Sequence, residues 1–147
     1  MRTLPLTCSD DDIRQLVVEW WELVAAGRFR EALDLVPHDD HEVTWTPEYL
    51  EETIATHGAG PRAAALYPED PRWEAGSIFA QPDPQAIIRA IQVDRYEFVE
   101  NDPTLMGIIH FDDVPLKQKI STMTARFSIK RVGQDRLTLE FMDLHVM

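Results

Sequence analysis

The sequence predicts an α+β fold in which N-terminal helices are followed by a run of antiparallel β-strands. Three observations predict it. Apolar residues recur at helical spacing through the first third of the chain, and from about Ile87 they follow the alternation of strands. The helices come first and the strands follow as a run, which is the α+β order. The length of 147 residues is that of one domain, 1–147, able to bury roughly 70% of its unfolded surface.

The first helix begins at Ser9. Its hydroxyl suits the cap position, and Asp10, Asp11 and Asp12 place negative charge in the first turn, where the helix dipole favours it. Ile13, Leu16, Val17, Trp20, Leu23 and Val24 form one apolar stripe; Trp21 widens it and Gly27 offers a stop. A shorter helix carries Phe29, Ala32, Leu33 and Val36 and ends before Pro37. Thr46-Pro47-Glu48 starts a third, a cap followed by proline at the first helical position, with Tyr49, Leu50, Thr53 and Ile54 inward and Gly58 closing it. From about 58 to 85 the periodicity disappears among five prolines, predicting a Pro-rich irregular insertion.

The run from Ile87 to Val93 reads as a strand, although Asp83-Pro84 equally starts a short helix there. Ile91 and Val93 lie on one parity and Tyr96 and Phe98 on the other, which predicts a bulge near Asp94 or Arg95. Leu105 to Phe111 is apolar on both parities, as a central strand is. Two clear strands follow. Met123, Ala125, Phe127 and Ile129 share one face, and Leu137, Leu139 and Phe141 share one face of the next. Both sets are odd-numbered, so matched faces require paired numbers with an even sum. A three-residue loop, Gly133 to Asp135, satisfies this and pairs Phe127 with Phe141 and Ile129 with Leu139.

The opening helix with Trp20-Trp21 and Ala25-Ala26-Gly27-Arg28-Phe29, together with the closing hairpin from Thr124 to Met147, resembles the ketosteroid-isomerase-like and SnoaL-like superfamily, the nuclear-transport-factor-like cone fold. The resemblance implies that the N-terminal helices pack in a strongly curved antiparallel β-sheet, a cone-shaped α+β barrel with the sheet wrapped round the first helix, an internal pocket and a homodimer through the outer sheet face. That superfamily spans isomerases, dehydratases, cyclases and noncatalytic partners, so the resemblance selects no function and transfers no catalytic residue.

Composition sets limits on function. Fourteen basic against 26 acidic residues leave a net charge of −12, which argues against nucleic acid or an anionic membrane as partner. The lone Cys8 excludes an intrachain disulfide and a cysteine-rich metal site. The chain has no apolar run of about 18 residues and its start is too short and polar-interrupted for a secretory signal, so a cytoplasmic location is the expectation.

Asp143 and His145 form the main candidate site. Continuing the odd face of the last strand past Phe141 turns both inward, with Ala125 opposite Asp143 and Met123 opposite His145. A carboxylate in an apolar cavity has its pKa raised, and a neighbouring imidazole shares or orients the proton, which suits general acid–base work. The alternative is a bulge or fraying after Phe141 that turns both outward. Trp20, Trp21, Tyr96, His110, Met123, Phe127 and Phe141 are the expected ligand contacts of such a pocket. His110 and Asp112 lie on the even face of the earlier strand, lining the same pocket or forming a solvated strand end. His38-Asp39-Asp40-His41 has metal-ligand residue types, but it follows Pro37 in a loop and such tetrads serve as turns and caps; no metal is assigned. Glu48, Glu51 and Glu52 read as a solvated helix face. Ser9, Ser77, Ser121 and Ser128 lie in no nucleophile elbow, and no glycine loop cradles a phosphate, so no cofactor is implied.

Two functions follow from these features. One is an internal-pocket protein for a small, mostly apolar molecule, with isomerase- or dehydratase-like chemistry by Asp143 and His145. The other is a noncatalytic acidic protein that binds a basic partner, as immunity-type cone proteins do. An open cone favours the first and a filled one the second.

Overall fold

The computed structural model describes residues 1–97, 99–118 and 121–146. Helix α1 (Asp10–Ala25) starts as its residues dictate: the Ser9 hydroxyl accepts the Asp12 N–H at 3.1 Å, and the Asp12 carboxylate accepts the Ser9 N–H at 3.0 Å. Its stripe from Ile13 to Val24 is buried, and Trp20 and Trp21 are both within 1% of complete burial. Gly27, at φ 75°, ends it in the left-handed turn that glycine adopts without strain. Helix α2 (Phe29–Leu35) packs back on α1, and α3 (Pro47–Ala55) begins under the Thr46 cap with Pro47 at its first position. Among the described residues no helix is long and apolar enough to cross a membrane.

The 58–85 segment is more ordered than its prolines predict. It holds α4 (Gly60–Leu66), a single 3-10 turn at Ile78–Ala80, and the start of α5 (Pro84–Arg89). Alanines 63 to 65, strong helix formers, follow Pro61 at the start of α4, and the Asp83 carboxylate caps α5 by accepting the Ala86 N–H at 3.1 Å. The helical alternative at Asp83-Pro84 is therefore the one adopted. The segment's second half is tied across the barrel mouth. The Trp21 indole N–H donates to the Gly76 carbonyl at 2.9 Å, and the Glu22 carboxylate accepts both the Ser77 hydroxyl and the Ile78 N–H.

Strands β1 (Leu4–Pro5), β2 (Gln92–Arg95), β3 (Leu105–Phe111), β4 (Met123–Val132) and β5 (Arg136–Val146) form one antiparallel sheet in the order β1-β5-β4-β3-β2. The sheet curls through 214° into a half-barrel, the strongly curved α+β arrangement expected. β3 lies between β4 and β2, a central strand as its two apolar parities predict. Phe127 stands opposite Phe141 and Ile129 opposite Leu139, with Gly133 at φ 67° in the three-residue loop. The short β1 edge carries no alternation to predict it; its register places Leu4 opposite Leu137.

Two registers differ from expectation. β2 pairs with β3 without interruption, and the irregularity lies instead in β3 between Leu105 and Gly107. β2 ends at Arg95, so Tyr96 follows the strand and is 40% exposed; Phe98 lies outside the described residues. Gly107 permits the kink: at φ 156° its backbone runs so close to β2 that a Cβ would sit 2.3 Å from the Asp94 carbonyl oxygen. The second irregularity falls between Arg126 and Phe127, where Met142 becomes an extra residue in β5. Beyond it Arg126 faces Asp143, Ala125 faces Leu144, Thr124 faces His145 and Met123 faces Val146.

The interior is filled by aromatic rings. Trp20 meets Phe141 at 4.7 Å and Phe127 edge-on at 5.2 Å; Trp45 meets Phe141 at 4.8 Å, and Trp21 meets Phe111 at 5.7 Å. Such edge-to-face and tilted contacts are the favoured geometries of packed rings. Phe141→Ala opens a cavity at the centre of this cluster and is expected to lower the unfolding free energy by about 3–5 kcal/mol. Tyr67→Ala, at a position 61% exposed, is expected to change it by less than about 0.5 kcal/mol. Urea unfolding of both variants checks the contrast; equal losses would contradict the packing described.

Candidate functional site

The extra residue at Met142 decides where the candidate acid–base pair points. Alternate residues of a strand face opposite sides, so one inserted residue reverses every side chain after it. Leu144 turns inward against Ala125 and is 5% exposed. Asp143 and His145 turn to the outer face, opposite Arg126 and Thr124. The inward continuation that would set Ala125 opposite Asp143 and Met123 opposite His145 does not occur. A signal for this stands in the sequence: the apolar positions change from odd, at Leu137, Leu139 and Phe141, to even, at Leu144 and Val146.

On the outer face Asp143 is gripped by Arg126. The guanidinium Nε donates to Oδ1 at 2.9 Å and Nη2 donates to Oδ2 at 2.5 Å, the two-pronged geometry that fits a carboxylate. His145 Nδ1 stands 3.3 Å from the same Oδ1. Burial pushes the Asp143 carboxyl upward, but the Arg126 hydrogen bonds and charge, joined by His145, outweigh it and hold the pKa below its ordinary value. This carboxyl is ionised at neutral pH and bound on both oxygens. The raised pKa expected of a carboxyl in an apolar cavity does not arise.

The register runs a polar row across four strands: Gln92 of β2, His110 of β3, Arg126 of β4 and Asp143 of β5. His110 therefore lies on the outer face and not with the interior rings. Next to the row, the Thr124 hydroxyl donates to Asp112 at 2.8 Å. Trp20, Trp21, Met123, Phe127 and Phe141 are brought together, each within 1% of complete burial, as packed interior. They do not share a lining with Asp143.

Asp143 instead borders a surface cleft of about 330 Å³ where β4 and β5 meet the 39–45 loop and α3, lined by Asp39, Glu42, Trp45, Tyr49 and Arg126 among others. The loop is laid along β5 by backbone bonds: the Asp39 N–H donates to the Phe141 carbonyl at 2.8 Å, and the Phe141 N–H donates to the Pro37 carbonyl at 2.9 Å. The tetrad's aspartates serve as turn acceptors, Asp39 for the His41 N–H and Asp40 for the Trp45 N–H, both at 2.9 Å. The Trp45 indole N–H reaches the carbonyl of the inserted Met142 at 3.2 Å, and its ring meets Tyr49 edge-on at 5.2 Å. Arg126 and Tyr49 carry this cleft, yet neither stands out in the sequence, because their meeting depends on the bulge and on a loop docked from far along the chain.

The cleft is framed by the most one-sided part of the charge. Between Glu31 and Pro61 the chain has eight acidic residues and no lysine or arginine. Elsewhere the cations are largely committed: among the described residues, eight arginine or lysine side chains pair with carboxylates of the same chain.

A depressed carboxyl stabilises the fold above its ordinary pKa of 3.8 and loses that contribution as pH falls through and below it. Asp143→Asn is therefore expected to destabilise by about 1 kcal/mol at pH 7, discounted for the pair's partial exposure. The difference from the unsubstituted chain is expected to shrink below about pH 4. Urea unfolding at both pH values checks this; a larger difference at the lower pH would contradict the pairing.

Comparison of the chain with protein-family models, with curated proteins and with solved structures found no match.

Proposed function

We propose that this chain is a noncatalytic acidic module that binds a basic protein partner. The observation that carries the reading is the stretch from Glu31 to Glu52, eight acidic residues with no lysine or arginine, of which Glu31 and Glu52 pair with arginines from outside it and Asp39 and Glu42 line the Trp45–Tyr49 cleft. Charge of one sign around a concave, aromatic-walled surface steers an oppositely charged partner and sets its orientation. The interlocked rings of the interior favour this over a buried substrate, since they occupy the volume that a substrate would need. Neutralisation of Asp143 by Arg126 points the same way. The curl of the sheet round α1 is compatible with a cone-like fold, the architecture of the ketosteroid-isomerase-like proteins whose range includes noncatalytic partners.

Binding to a panel of small basic proteins, with acidic proteins of similar size as controls, tests the proposal. Association with at least one basic protein is expected to weaken by about tenfold or more between low and high salt. The combined variant Asp39→Asn, Glu42→Gln, Glu48→Gln, Glu51→Gln is expected to weaken it further at low salt. Binding that is absent throughout, or indifferent to salt and to these substitutions, would reject the proposal.

A second reading retains small-molecule chemistry by Asp143 and His145, and the cleft beside Asp143 favours it. It requires a compound that raises the melting temperature of the chain and does so less for Asp143→Asn and His145→Ala. Equal shifts in all three proteins would remove it.

A further inference from the structure

A separate depression of about 390 Å³ lies where the end of α3 meets the 67–73 turn. Its lining includes His57, Tyr67, Trp73 and Asp70, with Pro68 and Pro71. The arrangement is held by backbone bonds. The Trp73 N–H donates to the Ala55 carbonyl at 3.0 Å and ties the turn to the helix end; the Asp70 N–H donates to the Tyr67 carbonyl at 3.1 Å and closes the turn itself. His57, at φ 52°, and Gly58, at φ 80°, end the helix in left-handed conformations, and the His57 ring lies 6.2 Å from that of Trp73. Tyr67 is 61% exposed, an unusual position for a large ring that no packing requires.

Three features of this depression favour a positive charge. The faces of aromatic rings attract cations, most strongly those of tryptophan and tyrosine. Asp70 supplies a full negative charge. The C-terminal end of α3, through Ala55 and Thr56, adds the partial negative charge of the helix dipole, and the last turn of that helix carries no basic residue. Arg72 also borders the depression, but its guanidinium donates to both Glu52 oxygens, at 3.2 and 2.6 Å, so its charge is cancelled locally. The proline rings offer apolar surface for methylene or methyl groups.

The geometry points to a binding site for an alkylammonium group in this depression, such as a lysine side chain or a quaternary amine. Its lining shares no residue with that of the Asp143 cleft, although the two meet at the 57–60 turn, and its test is independent of the proposed function because the probes are free small cations.

The test follows the Trp73 indole resonance of the full chain, identified with Trp73→Phe, at constant ionic strength. The chain is titrated with n-butylammonium, tetramethylammonium, N-acetyl-lysine methylamide and, as a neutral analogue, 1-pentanol. Saturable shifts are expected with the cations, and binding about fivefold or more weaker with pentanol. Asp70→Asn and Tyr67→Ala, both at exposed positions, are expected to weaken cation binding by about fivefold each, while Glu97→Gln, outside the lining, leaves it unchanged. Lysine methylamide binding as well as butylammonium supports a protein lysine as the ligand; preference for tetramethylammonium supports a quaternary amine. The proposal is overturned if no cation gives a saturable shift, if pentanol binds equally, or if Glu97→Gln weakens binding as much as Asp70→Asn.

Discussion

Two adjacent tryptophans of α1, inserted into the concavity of the sheet, are the constraint on which the rest of the structure depends. Trp20 touches rings from both β4 and β5, and Trp21 touches one from β3. A sheet curled through 214° has room for a helix only if large side chains fill the space between them. The same tryptophans also anchor the connection across the barrel mouth, through the indole of Trp21 and its neighbour Glu22. Filling the interior this way stabilises the fold by burial.

The inserted Met142 is the second controlling feature. It changes one hydrogen-bond step in the hairpin and reverses the facing of the last four described residues of β5. Asp143 thereby meets Arg126 rather than the rings, Leu144 completes the interior, and the Met142 carbonyl receives the Trp45 indole. One irregularity therefore neutralises the candidate acid and docks the 39–45 loop, the two conditions that create the outer cleft.

Electrostatics follows from these placements. Six of the paired cations hold carboxylates outside the 31–61 stretch and two reach into it, Arg28 to Glu31 and Arg72 to Glu52, so α3 and its flanking loop keep a net negative charge. Exposed pairs of this kind add little stability individually. Their larger consequence is the field they leave uncancelled, together with two aromatic concavities beside α3.

Local chemistry in the sequence determined the helix starts at Ser9 and Thr46, the stop at Gly27, and the three-residue loop that pairs Phe127 with Phe141, because caps, left-handed turns and strand parity act over a few residues, while the choice of helix over strand after Asp83 was left to the structure. The same local chemistry also placed Trp20, Phe127 and Phe141 inside, since their spacing puts them on one side of each element, but it grouped the 40% exposed Tyr96 with them and left the buried Trp45 unplaced. The shift of apolar residues from odd to even positions at Leu144 marks the facing of Asp143 and His145 in the sequence, while the tertiary structure alone decided the partnership with Arg126 and the two surface concavities. Each of these depends on a single change of register or on loops docked from distant parts of the chain. Such contacts are chosen by the packing of the whole domain, and no short window of residues encodes them.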